Sequence, residues 1–133
     1  MGEELLVIEQ IDAGAHFVRD FSDYASVSVA CWVVPAESDN LFLYIGSDDI
    51  NDANIDVAYR EVLQRLRGRR NQWLDPFQIK LVNSSDPIAR DAIQIRDRYP
   101  GKTPTRYHGT SMGGMSIDGA YIYPPLSAMK SVP

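Results

Sequence analysis

At 133 residues and 44% hydrophobic, the chain is expected to fold as one domain with a core large enough to need neither disulfides nor a structural metal. Its net charge of −5 and isoelectric point near 4.9 argue against a general polyanion binder, and the acidic start Met1-Gly2-Glu3-Glu4 carries no readable secretory signal or membrane anchor. The single cysteine, Cys31, has no internal disulfide partner and lies in an apolar stretch, so a reduced thiol and a cytoplasmic location are expected.

Along the chain, Leu5, Ile8, Ile11, Ala15, Val18 and Phe21 recur at steps of three and four, which predicts an amphipathic helix over residues 3–23. A competing reading takes Leu5–Gln10 as a strand and starts the helix near Asp12, encouraged by Gly14; it gives a ferredoxin-like βαββαβ start. Ser26–Val34 and Leu41–Gly46 are β-branched and aromatic, with the turn-forming Pro35-Ala36-Glu37-Ser38-Asp39-Asn40 between them, so they should pair antiparallel. Ile55, Ala58, Tyr59, Val62, Leu63 and Leu66 form a helical stripe that stops near Gly68. Phe77–Val82 reads as a strand, and Asp86-Pro87 opens a third helix with an N-cap carboxylate and proline in the first turn. Ile88, Ala92, Ile95 and Tyr99 are its predicted buried face, and Pro100-Gly101 its stop.

The last third is turn-rich: Thr105–His108, then a Gly113-Gly114 turn, then Ile117–Tyr123, which predicts a closing hairpin. The expected architecture is therefore α+β, in the order α-β-β-α-β-α-β-β, with an antiparallel sheet of four to five strands and three helices. One domain should span 1–125, followed by a short extended tail over 126–133.

Ile11-Asp12-Ala13-Gly14, Ala30-Cys31-Trp32, Leu43-Tyr44-Ile45-Gly46-Ser47, Ala58-Tyr59-Arg60, Asp86-Pro87 and Ala120-Tyr121-Ile122-Tyr123 together resemble the layout of a group of small, uncharacterised bacterial α+β proteins. The resemblance implies a compact domain of bacterial type and transfers no activity or functional residue.

Charge is divided unevenly along the chain. Residues 1–59 hold twelve acids and one base, whereas residues 60–106 hold eleven bases and five acids. Such a division points to electrostatic partnering. Some of these cations are accounted for within the fold, because Asp56–Arg60 and Glu61–Arg65 stand four apart in the favourable order, and Arg96 and Arg98 occupy the last turn of a helix. What remains is Arg67, Arg69, Arg70, Lys102 and Arg106, the candidate anion- or partner-binding set. Tyr107, Tyr121, Tyr123, Pro124 and Pro125 are the candidate anchors of a protein interface.

Catalytic and metal signatures do not converge. Asp48, Asp49, Asp52 and Asp56 lack the glycine and glutamate positions of a calcium loop, and an Asn or Asp cap for the following helix explains them better. His108-Gly109-Thr110-Ser111-Met112-Gly113-Gly114 matches no phosphate loop and joins strands. With two histidines and one cysteine, no catalytic set, metal centre or cofactor site is assigned. The leading expectation is a non-enzymatic interaction module with a protein partner, including a second copy of itself. The alternatives are a phosphate-handling enzyme or nuclease using Asp48, Asp49 or His108, and a nucleic-acid binder without chemistry.

Overall fold

A computed structural model of the protein describes residues 7–38, 40–67, 73–99 and 103–126. In chain order the elements are α1 (Ile8–Phe21), β1 (Val29–Pro35), β2 (Phe42–Ser47), α2 (Ile55–Arg67), a 3-10 turn at Pro76–Gln78, β3 (Ile79–Asn83), α3 (Pro87–Arg98), β4 (Thr105–Tyr107), β5 (Ser111–Met112) and β6 (Met115–Ile122). This is one α+β domain with three helices on a six-stranded sheet. Ile8–Gln10 is helical, as the long-helix reading requires, while residues 1–6 lie outside the described residues. No described helix is long and apolar enough to cross a membrane.

The sheet order is β3-β2-β1-β6-β4, with β5 pairing β6. It is mixed, which corrects the expectation of an antiparallel sheet: β2 and β3 run parallel, with Leu43 opposite Ile79 and Ile45 opposite Leu81. The cause is the helix between them. At about 1.5 Å per residue α2 is roughly 20 Å long, close to the length of one strand, so it carries the chain back to the end where β2 began. The β1–β2, β1–β6, β4–β6 and β5–β6 pairs are antiparallel.

Alternation along β1 divides the core. Ala30 and Trp32 point to the layer formed by α1 and α2, where they meet Phe17, Phe21, Leu43, Ile45, Val62 and Leu81. Val29, Cys31 and Val33 point to the other layer, against Ile88, Ala89, Ala92 and Ile95 of α3 and Met112 of β5. A sheet covered on both faces needs strands apolar at every position, which is why β1 reads as a continuous hydrophobic run.

Two glycines set the distance between layers. Gly14 lets α1 approach the sheet: a Cβ there would overlap the Tyr123 hydroxyl and lie 2.9 Å from Trp32 Nε1. Those groups form a buried chain in which Trp32 Nε1 donates to Tyr123 Oη at 2.9 Å and Tyr123 Oη donates to Ile11 O at 2.6 Å. Gly113 has φ +59°, and a Cβ on it would meet Ile88 N at 2.6 Å. Its N–H donates to Asp91 Oδ2 at 2.7 Å, seating the β5–β6 turn on the first turns of α3.

The third helix opens as predicted, with Asp86 Oδ1 accepting from Ile88 N at 2.9 Å. Its end differs. Tyr99 is 64% exposed and forms the C-cap, so it leaves the buried face that Ile88, Ala92 and Ile95 supply. Pro100 and Gly101, the predicted stop, lie outside the described residues.

Candidate functional site

The reactive side chains are dispersed. Cys31 is buried in the centre of the sheet, and burial pushes its thiol up to about 12, so it is protonated and inert at neutral pH. His16 is exposed on α1, with Nδ1 3.3 Å from Arg19 Nη2. His108 is exposed just after β4. Asp48 and Asp49 follow the end of β2, whereas Tyr107, next to His108, lies level with Phe42 at the start of that strand and three strands across the sheet, so well over about 14 Å separates them. Asp49 Oδ2 accepts from Ser26 N at 2.9 Å, and that hydrogen bond holds its carboxyl below the usual range. No group of three acidic, histidine or cysteine side chains among the described residues could hold a metal ion.

The acidic loop before α2 is a capping device, in which Asn54 is the cap and Asn51 supports it. Asn54 Oδ1 accepts from Asn51 N at 2.8 Å, Asn51 Oδ1 accepts from Ala53 N at 2.8 Å, and Asn54 O receives the first helical bond from Ala58 N at 2.9 Å.

The basic set does not form one patch among the described residues. Arg67 ends α2, which packs on β3 at one edge of the sheet, whereas Arg106 lies on β4 at the opposite edge. Arg69, Arg70 and Lys102 lie outside the described residues. The guanidinium of Arg106 stacks on the Tyr121 ring, its carbon 5.0 Å from the ring centre. Arg65 pairs with Glu61 at 2.6 Å as its spacing predicts, and also reaches Asp20 Oδ1 at 3.1 Å and Asp20 O at 2.8 Å, tying α2 to α1. Arg60 and Asp56 form no ion pair. Arg96 donates from Nη1 to Ser28 O at 2.7 Å, a specific link between α3 and the start of β1 beyond any helix-end electrostatics.

The proposed aromatic anchors are placed differently from the expectation. Tyr121 and Tyr123 are core residues, 8% and 3% exposed, packed edge to face at 5.3 Å. They face inward because β6 alternates and this face lies under α1, so neither presents a ring for a partner. Tyr107 is half-buried and donates from Oη to Ser111 O at 3.1 Å; Pro124 and Pro125 are half-buried beyond β6, and residues 127–133 lie outside the described residues.

A groove between α2 and the β3 edge, missed by the sequence reading, has the strongest claim to a binding surface. Tyr59, Val62 and Leu63 of α2, Pro76 and Phe77 of the 3-10 turn, and Ile79 and Lys80 of β3 enclose about 290 Å³. Phe77 stands 85% exposed and Leu63 45% exposed. The turn holds Phe77 outward because Asp75 accepts from Phe77 N at 2.8 Å and Gln78 Oε1 accepts from Asp75 N at 2.9 Å. Two cations edge this apolar surface, Arg60 and Arg67, which stand three and four residues from Leu63 on the same helix side. Neither forms an ion pair with a described residue; Lys80 also borders the groove, but its register with Tyr44 turns its side chain to the α3 face, where Nζ sits 4.9 Å from the Phe42 ring centre. The strand edge itself is blocked, since Leu81 N donates to Tyr59 Oη at 2.9 Å and Ile79 N to Pro76 O.

The chain matches no protein-family model, no curated protein and no solved structure. The sequence signal for the groove is Phe77 itself: it reads as the first residue of a strand, but Asp75-Pro76 forms a capped turn before the strand starts.

Proposed function

We propose that this chain is a non-enzymatic interaction module of the cytoplasm, and that the α2–β3 groove holds an acidic, apolar segment of a protein partner. The observation that carries this reading is the exposure of Phe77 and Leu63 beside two cations that form no ion pair with a described residue, Arg60 and Arg67. Apolar anchors supply affinity, and the charges select sign and speed encounter. At about 290 Å³ and open to solvent, the groove lies at the small end of small-molecule sites, typically ~300–1,000 Å³, and suits side chains presented by a peptide. With the outward N–H groups of Ile79 and Leu81 already bonded, the partner docks by side chains and does not add a strand.

Fluorescence anisotropy with short labelled peptides tests the reading. Peptides combining Leu or Phe with Asp or Glu should bind, matched peptides carrying Lys should not, and Phe77→Asp or Arg67→Glu should weaken binding at least about tenfold. Equal binding of both peptide sets, or binding indifferent to both substitutions, refutes it.

A further inference from the structure

The protein carries its own candidate for the groove. Ile8, the first residue of α1, is 71% exposed, and Glu9 beside it is exposed as well. In sequence, residues 1–9 combine Leu5, Leu6, Val7 and Ile8 with Glu3, Glu4 and Glu9 and contain no basic side chain. That is the chemistry the groove selects: aliphatic side chains for Phe77, Leu63 and Pro76, and carboxylates for Arg60 and Arg67 on its flank.

We infer that the groove is filled by a second copy of this chain, which inserts the acidic start of its first helix at Ile8 and Glu9. The inference rests on the reading of the groove as a site for acidic, apolar segments and names the partner. Ile8 cannot enter its own groove. The helix it begins is fixed over β1 and β6 by the Gly14 contact with Trp32 and Tyr123 and by the hydrogen bond from Tyr123 to Ile11. The groove opens beyond α2, over β3, and packed helix axes stand about 8–10 Å apart, so α2 lies between α1 and the groove. The occupant must therefore come from another molecule. Two copies exchanging the same contact give a closed dimer with twofold symmetry, in which Ile8 of each meets Phe77 of the other. The charge division of the chain acquires a use in this arrangement, since Glu9 of one copy faces the basic flank of α2 in the next.

Sedimentation velocity over a range of concentrations, at about 0.05 M and about 0.5 M salt, reads the inference directly. The expected result is a dimer that dissociates more readily at high salt. Ile8→Asp and Phe77→Asp should each weaken dimerisation at least tenfold. Both side chains are exposed, and an unchanged far-ultraviolet circular dichroism spectrum for each variant shows that folding is intact. Glu9→Lys and Arg67→Glu should each weaken the dimer, and combining them should restore part of the loss. A monomer at every concentration and salt overturns the inference, as does a dimer that survives both Ile8→Asp and Phe77→Asp. A monomeric protein that still binds the acidic peptides through Phe77 and Arg67 loses only the second copy as partner; one that is monomeric and binds no peptide loses the groove reading as well.

Discussion

Gly14→Ala separates local propensity from tertiary contact, because the two predict opposite signs. Alanine is favoured over glycine in a helix interior by about 1 kcal/mol, so propensity alone predicts a more stable protein. In the fold, the new methyl would overlap the Tyr123 hydroxyl and press on Trp32 Nε1 at 2.9 Å. Neither group has room to yield, since Trp32 is 0% and Tyr123 3% exposed. Overpacking of this kind costs about 1–3 kcal/mol, and displacement of α1 also weakens two buried hydrogen bonds worth about 1 kcal/mol each. Subtracting the propensity gain leaves a loss of roughly 2–4 kcal/mol, which for a domain of this size lowers the melting temperature by roughly 10 °C. Urea unfolding followed by the fluorescence of Trp32 and by circular dichroism measures it. Tyr123→Phe alone should also destabilise, by about 1–3 kcal/mol, because it orphans the Trp32 N–H. Adding Tyr123→Phe to Gly14→Ala makes space for the methyl, so the double variant should lose at least ~1 kcal/mol less than the sum of the singles. A Gly14→Ala protein as stable as the parent, or strictly additive losses, refutes the close approach of α1 to the sheet.

Three further outcomes follow from the same structure. Cys31, with its thiol raised from 9.0 to about 12 by burial, should resist thiol reagents near neutral pH until the protein is unfolded. Because its folded value lies above its unfolded one, the unfolded chain ionises first; the stabilisation is whole below pH 9.0 and is lost as pH rises toward about 12, by at most about 1.4 kcal/mol per pH unit. Comparing slopes between about pH 9 and 10 for the parent and Cys31→Ala isolates this proton; equal slopes count against it. Arg96→Met should cost about 1.5–2 kcal/mol through loss of the charged hydrogen bond to Ser28 O, whereas Arg98→Met, in the same last turn but exposed, should change stability by less than about 0.5 kcal/mol; matching effects would return both to helix-end electrostatics. Gly113→Ala should destabilise by about 1–3 kcal/mol, from strain at φ +59° and the clash with Ile88 N, while Gly114→Ala, with nothing within 4 Å but φ +82°, should suffer the backbone strain alone; unfolding midpoints of the two variants decide the order.

The sequence by itself determined the elements and the fold class. Periods of 3.6 and 2 are imposed by local geometry on any chain that must bury one side, so α2 and the β1–β2 hairpin are legible without the tertiary structure, and Asp86-Pro87 and Gly113-Gly114 mark their turns by backbone chemistry alone. Only the tertiary structure decided which residues meet. It turned β3 parallel to β2 through the length of α2, placed Tyr121 and Tyr123 under α1, and put Arg67 and Arg106 at opposite edges of the sheet. Charge counted along a chain holds no information about distance in space, which is why the basic segment looked like one site. Gly14 shows the same divide in a single residue: locally it is a poor helix former, and only the approach of Trp32 and Tyr123, 18 and 109 residues further along the chain, makes it necessary.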